Sequence, residues 1–569
     1  MTTSDLGADR SATRVRVRPL ILFVLWALLA WVALFWRLGE PTFWDPDEAH
    51  YAVTTRELIT NGDWLAPTYN GEPFFDKPIL FHQLQAVAMI ATGSTELGAR
   101  LVPALAALAL IGSVWWFCIA IGEAKAAPAA ALLLTVCPAV VALARYAILD
   151  MLFTTFLFGG AAVLSVSAIS RRVRLQYVGY VLIALAVLTK GPLGLALTGL
   201  TFIAAIVISR DARRALISLH WVRGAFLIVG MSAPWFLYMH QRFGDAFLQG
   251  YVLNENLLLF SRSTYANQPN WTFYLRIVAV GMLPWTPVLV GRLYDMGAAL
   301  VRRRPAVDLP EILLWTWVFV VLAFFSVSKF KLDHYVFPVA PALCVLIARS
   351  WMDARNPIRQ PHHRGIRAGF LCVGPILALA GTAVGVLLWT RFALPTGAWL
   401  LPVAWLAAGI WLATRGRSGV TQAPWLTSAA FGTFYIVAIL YVVPALERQK
   451  VVADVARWVG AHADGATQVC TYRLNRWNNS MIFYANRSVT VTDSPEHFMS
   501  VSADRRFLCV MPKSAYEELR SLGAPLKIVH DREGLWATSG RALWRAKSPL
   551  TVFVVVAGEL DRTVAMKAP

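Results

Sequence analysis

Thirteen apolar runs constrain this chain more than any other feature. They lie near residues 20–37, 98–121, 126–143, 148–169, 175–190, 192–209, 222–240, 273–297, 311–327, 335–352, 366–390, 397–414 and 425–446. A hydrocarbon core ~30 Å thick takes about 20 apolar residues of helix to cross. Inside it, helices satisfy their backbone hydrogen bonds within one segment. The runs predict a polytopic α-helical membrane protein. The composition agrees, with 57% of the 569 residues hydrophobic and a mean hydropathy of +0.55. The 23 tryptophans suit anchoring at both membrane interfaces.

The net charge of +19 is spread through short inter-span loops. That spread excludes a nucleic-acid-binding stripe and fits attraction to anionic membrane lipids. With the N-terminus (Arg10, Arg14, Arg16, Arg18) placed in the cytoplasm, alternate loops collect the basic residues. These are Lys125; Arg171, Arg172 and Arg174; Arg210, Arg213 and Arg214; Arg302, Arg303 and Arg304; Arg355, Arg359, Arg364 and Arg367; and Arg415 and Arg417. The pattern predicts an inside N-terminus, an outside C-terminus and a retained signal-anchor. Lys329 and Lys331 run against it, on the side poor in basic residues.

The outer side then holds a long loop, 38–97, with surface helices expected at 47–60 and 79–92. It also holds the 241–272 loop and residues 447–569. In that last part, strand-like runs (467–471, 506–511, 526–530, 551–557) alternate with helix-like ones (451–462, 514–521), which predicts a small α/β domain after a transmembrane domain ending at 446. No internal repeat, CxxC or HExxH pattern is present. Cys118, Cys137, Cys344 and Cys372 lie in apolar runs as packing residues. Cys470 and Cys509 lie in the polar part, where the spacing leaves a disulfide open.

The polar motifs gather on the outer side. Charge beside hydrocarbon is costly and marks functional sites. Asp47-Glu48 follows the first span; read alone, Asp47 fits a helix cap slightly better than a catalytic carboxylate. Asp76-Lys77-Pro78 offers a phosphate anchor in Lys77, with Asp76 as its partner or a metal ligand, against the plain alternative of a surface ion pair. Arg145 to Asp150 puts opposite charges on one short loop, and Lys190 ends a tight turn where it need do no more than snorkel. Asn254-Glu255-Asn256, Arg262 and Tyr265 lie in the 241–272 loop. Lys329, Lys331, His334 and Tyr335 adjoin a span end, where a rim touching headgroups is the simpler reading. Together they describe an outward-facing cavity lined by cations and carboxylates, suited to a lipid-linked phosphate.

The ordered set of motifs resembles the bacterial aminoarabinose (4-amino-4-deoxy-L-arabinose) lipid A transferases, within the superfamily that includes the protein O-mannosyltransferases. The carrying residues are Asp47-Glu48-Ala49-His50-Tyr51-Ala52, Arg56-Glu57-Leu58, Gly62-Asp63-Trp64, Asp76-Lys77-Pro78, Tyr146 to Asp150, Thr189-Lys190-Gly191, Pro234-Trp235, Leu283-Pro284-Trp285, and Phe324-Phe325-Ser326 through Tyr335 to Pro338. The resemblance covers roughly residues 20–350. It implies a GT-C fold of about thirteen spans in the bacterial inner membrane, with the active site and an α/β domain on the periplasmic side. It implies transfer of the sugar from undecaprenyl phosphate to lipid A, with inversion.

Carried over by motif, Asp47 is the main catalytic residue and Asp150 supports it. Lys77 and Tyr335 hold the donor phosphate. Glu48, His50, Arg262, Lys329, Lys331 and His334 join them as substrate-binding candidates. Asp76 and Glu255 are the candidate ligands of a divalent metal. Three positions depart from the family pattern: His50 stands where arginine is expected, Asp76 where glutamate is, and Asn256 where histidine is. They bear on the sugar, the acceptor and the metal more than on the reaction. Competing classes are a polyprenyl-phosphate-sugar transferase with another acceptor, a lipid-linked sugar transporter, and an envelope scaffold built on the C-terminal part.

Overall fold

The computed structural model of the chain describes residues 5–93, 95–262, 269–302, 307–356, 363–391, 394–474, 478–503, 505–536 and 550–559. Tyr265, Arg303, Arg304 and Arg359 lie outside these. Among the described residues, eight helices are long and apolar enough to cross a membrane: Glu96–Ala120, Asp150–Ser170, Trp221–Phe243, Leu309–Val327, Asp333–Arg355, Arg364–Thr390, Thr396–Arg415 and Ser418–Glu447. The number rises to ten if two bent pairs each count as a span. These are Ala127–Thr135 with Pro138–Ala144, bent by 59°, and Phe273–Gly281 with Thr286–Val301, bent by 112°. Shorter apolar helices at Leu20–Leu34, Leu175–Lys190 and Leu193–Ile208 match the remaining runs. The straight spans expected at 126–143 and 273–297 are therefore broken. Proline explains both breaks, because it brings no N–H to the helix ladder and is favoured in a new first turn. Pro138 and Pro287 each open the second half of their pair.

Small residues let the spans approach closely, as is usual between membrane helices. A Cβ on Gly291 would lie 2.1 Å from the Gly365 carbonyl oxygen, so helices Thr286–Val301 and Arg364–Arg391 meet backbone to backbone. Asp150–Ser170 and Asp333–Arg355 are far more enclosed than the other six long spans. Asp150, at the start of the first of them, is accordingly buried.

The 38–97 loop forms helices Asp47–Asn61 and Leu80–Thr92, with a small hairpin between them. The first ends at Gly62 in the left-handed conformation, a common helix stop. The 241–272 segment is helical well past the span, from Asp245 to Ser261, with a wide π-type stretch at Leu248–Leu258.

Beyond Glu447 a five-stranded sheet runs in the order Thr490–Thr492, Gln468–Tyr472, Arg506–Pro512, Thr551–Glu559, Lys527–Gly534. The first three strands are parallel and the last two join antiparallel. Strand Thr490–Thr492 and helices Asn479–Ala485 and Pro495–Ser502 add to the elements expected from sequence. Cys470 and Cys509 sit opposite each other on neighbouring strands, buried and unbonded, as packed thiols. Cys372, read as a packing residue, is exposed.

Candidate functional site

Adjacent residues on a helix point about 100° apart, and Asp47 and Glu48 show what that separation can do. Glu48 is fully buried. Its carboxylate accepts from Arg100 Nε (2.5 Å) and Nη2 (2.8 Å), and from the backbone N–H groups of Trp44 (3.1 Å) and Ala147 (3.0 Å). With every lone-pair direction used and no solvent access, Glu48 pins three segments together. The substrate-binding role expected for it does not fit. Arg100 also donates to the carbonyls of Leu38, Pro41 and Thr42. The sequence reading did not single it out, and its place in a span was the available signal.

Asp47 is only half-buried, and its carboxylate makes no hydrogen bond among the described residues. Burial pushes its pKa up. His334, Lys77 and Lys190 oppose that, and the nearby Asp150 adds to it. Asp150 forms a short charge-assisted hydrogen bond with Lys190. Its other oxygen lies 3.7 Å from His334 Nε2. The Lys190 ammonium sits 4.4 Å from the centre of the Tyr335 ring and 5.5 Å from that of Phe153, within cation–π range. Lys190, weighed from sequence as a snorkelling side chain, is thus inside the cluster.

Lys77 closes the other flank. Its ammonium donates to Glu255 (2.8 Å) and to the Asp76 carbonyl (2.9 Å). Glu255 comes from the π-type stretch of the 241–272 segment. The carboxylate proposed as a metal ligand is therefore neutralised by a lysine. The other candidate, Asp76, has its pKa raised by burial. Among the described residues no group of three or more His, Cys, Asp or Glu side chains is placed to hold a metal ion. Asp76 and Glu255 do not fit a divalent-metal site.

His50 packs edge-on against Tyr69 (4.2 Å between ring centres) and Phe74 (5.2 Å). Burial, helped by Lys77, lowers its pKa to about 4, so the imidazole is neutral at pH 7. Arg262 and Lys329 are exposed, and their segments are joined where the Lys329 N–H donates to Phe260 O (3.0 Å). Lys331 donates to the Ser328 carbonyl, and burial and Lys329 depress its pKa. These three form a cationic rim outside the buried cluster.

Thr189-Lys190-Gly191-Pro192 is shaped by a close approach. Gly191 has φ +79°, and a Cβ there would lie 2.1 Å from the Tyr251 hydroxyl. A side chain at 191 would displace the turn that delivers Lys190 to Asp150.

A family model described as dolichyl-phosphate-mannose-protein mannosyltransferase matches residues 24–245. Similar curated proteins are undecaprenyl phosphate-alpha-4-amino-4-deoxy-L-arabinose arabinosyl transferases. One from Pectobacterium carotovorum is 27% identical over 378 residues, 65% of this chain and 66% of that protein. One from Sodalis glossinidius is 28% identical over 425 residues, 72% of this chain and 73% of that protein. The chain thus spans about two thirds of the length of such relatives. The crystal structure of ArnT from Cupriavidus metallidurans bound to undecaprenyl phosphate shares the fold, with TM-score 0.71 and 21% identity over 94% of this chain and 97% of that one. The comparisons define the class by its fold: a multi-pass membrane protein with the GT-C fold. Within that class, the chain is similar to the arabinosyl transferases named above.

Proposed function

We propose that the protein transfers a sugar, 4-amino-4-deoxy-L-arabinose, from undecaprenyl phosphate to a phosphate of lipid A, with inversion, at the periplasmic face of the bacterial inner membrane. The observation that carries this reading is the convergence of Asp47, Asp150, Lys190, His334 and Lys77, from five separate segments, at one end of the bundle. The names of the curated relatives supply the sugar and the carrier.

The chemistry follows from the charges. The acceptor oxygen attacks the anomeric carbon as the bond to the carrier phosphate breaks, through an oxocarbenium-like transition state. Undecaprenyl phosphate leaves as an anion, so it needs cations more than a proton donor. Lys77 meets it by exchanging Glu255 for the phosphate, with Tyr335 alongside and the rim of Arg262, Lys329 and Lys331 collecting the headgroup. A phosphate acceptor is already anionic. Asp47 therefore need not act as a strong base, and its role is to stabilise positive charge on the sugar. Lys190 and His334 hold Asp150 in place beside Asp47.

A purified-protein assay with radiolabelled undecaprenyl-phosphate sugar and lipid A tests this directly. Label should move to lipid A with the wild type and not with Asp47→Asn. Membrane passage of the labelled donor without transfer would make the protein a transporter instead. A second reading keeps the reaction and changes the acceptor. It rests on the departures at His50, Asp76 and Asn256, whose amide here donates to Tyr251 O. Mass spectra of lipid A that are identical with and without the gene would select it.

A further inference from the structure

The segment that leads into Asp47 is gripped by Arg100 and Glu48 on one side and by the far end of the chain on the other. Thr42 donates through its N–H (2.9 Å) and hydroxyl (2.7 Å) to Glu447, and Lys450 donates to its carbonyl (2.8 Å). The Phe43 N–H donates to the Tyr484 hydroxyl (2.8 Å). The Lys450 ammonium lies 4.3 Å from the Trp44 ring centre. Asp45, buried, accepts from the Ser480 N–H (2.7 Å) and from its hydroxyl. The Pro46 carbonyl accepts from Asn479 Nδ2 (2.8 Å). Five consecutive residues, 42 to 46, are each gripped from beyond residue 446.

Helix Asn479–Ala485 is the main part of this grip. Its start meets Asp45 and Pro46. Its end meets Arg56, nine residues further along helix Asp47–Asn61 than Asp47, which donates to the carbonyls of Phe483 (2.6 Å) and Ile482 (3.2 Å). Ala49, Ala52 and Val53 share one apolar core with Val452, Val455, Met481 and Phe483. Tyr69, from the hairpin, donates to Asn479 Oδ1 (2.5 Å). The catalytic helix is thus fixed on both sides of Asp47, whereas the Asp47 carboxylate has no hydrogen bond to hold it among the described residues.

We propose that Asp45, Asn479 and Ser480 are positioning residues for Asp47, and that the sheet region after residue 446 serves to set the angle of helix Asp47–Asn61 in the site. This rests on the assignment of Asp47 above. A geometric error of about 1 Å at a reacting group can cost ~100-fold in rate, so loss of one bond from this grip should register in turnover. The region thereby becomes part of the transferase machinery.

The test measures kcat, donor KM and melting temperature for Asn479→Ala, Ser480→Ala, Ser480→Thr and Asp47→Asn in the full-length protein, with labelled undecaprenyl-phosphate sugar. The two alanine variants should each lose about 10-fold in kcat, with donor KM within about two-fold and melting unchanged, and Ser480→Thr should recover most of the loss. Should Asn479→Ala fail to insert, Tyr69→Phe carries the same test, with an expected loss of about three-fold in kcat. Wild-type kcat in the alanine variants beside an inactive Asp47→Asn overturns the positioning role and leaves the transferase reading standing. A kcat loss that only tracks lowered melting, without recovery by threonine, also overturns it. A fully active Asp47→Asn overturns the transferase reading instead.

Discussion

The span Asp333–Arg355 carries a buried charge cluster near each of its ends, ~30 Å apart along the helix, and the two are built differently. Near its end, Arg292 makes a two-pronged contact with Glu311 (2.6 and 2.7 Å) and reaches Ser350 (3.0 Å) and Asp353 (3.1 Å). Beside it Arg349 grips both oxygens of Asp308 and approaches Glu123 at 3.4 Å. These arginines use their planar forks fully, which is what holds a structural charge in a low dielectric. At the span's start, the carboxylates meet two lysines and a histidine, and Asp47 lacks a hydrogen-bonding partner among the described residues. The first cluster is finished without a ligand. The second leaves a carboxylate free and a lysine whose partner can be exchanged. The contrast separates charge that staples from charge that acts.

The sharpest way to break that distinction is to compare neighbours on one helix. Asp47→Asn should lower turnover by roughly 10³-fold, the upper end of the range for removing one electrostatic stabiliser of a transition state, with thermal melting unchanged. A normal rate would dissolve the difference between the two clusters. At the other end, Arg292→Met should leave Glu311 and Asp353 buried without their cation. Stripping one partner from a buried pair costs about 3–5 kcal/mol. Denaturation in detergent should show that loss, while the turnover of the surviving folded protein stays near wild type. A catalytic defect at unchanged stability would mean that the far cluster also acts.

Two smaller effects refine the contrast. Lys77→Gln removes the exchangeable cation. Donor KM should rise about 10-fold, equal to ~1.4 kcal/mol of binding, and kinetics across donor concentrations would detect it. Gly191→Ala pushes a methyl group against the Tyr251 hydroxyl and misplaces Lys190. Turnover should fall several-fold, and removing that hydroxyl in the double variant with Tyr251→Phe should return part of it. An additive pair would mean the turn does not act through this contact.

Periodicity and hydropathy are local properties, and what they govern was legible. The thirteen apolar runs each have a helix or a bent pair, and helices stand at Asp47–Asn61 and Leu80–Thr92, where 47–60 and 79–92 read as helical. Strands expected at 467–471 and 506–511 appear at Gln468–Tyr472 and Arg506–Pro512. Pairing between distant residues was not legible. Nothing local marks Glu48 as the partner of Arg100, 52 positions away, or Asp45 as the partner of Ser480, 435 away. The same limit hid Lys190. Its tight turn is a sequence pattern, but the carboxylate it meets lies on another span. Motif order drew attention to Asp47, Lys77, Asp150 and His334, yet could not say that Glu48, beside Asp47, is sealed off.

Acid stability probes helices Asp47–Asn61 and Leu80–Thr92 on a finer scale. Thr55 donates its one hydroxyl proton to Gln85 Oε1 (2.5 Å), and the Gln85 amide is oriented by its bond to Ala99 O (2.8 Å). His82 Nδ1, 2.8 Å from the Thr55 oxygen, must then carry the proton and donate. That leaves His82 Nε2 as a buried lone pair with no partner among the described residues. Protonation would place an unpaired N–H and a charge there, and burial accordingly lowers the His82 pKa to about 3. A base depressed on folding adds stability that is full above its unfolded pKa of ~6.5 and is lost as pH falls toward its folded value, at about 1.4 kcal/mol per pH unit. Asp45 tilts the opposite way. Burial raises its pKa to about 7, so its contribution is full below ~4 and is lost as pH rises through 7. His82→Gln should therefore flatten the decline in stability between pH 6.5 and 5, and Asp45→Asn should steepen it. Equal slopes in the wild type and both variants, read from denaturation at half-unit pH steps, would show that neither group titrates on unfolding in this range.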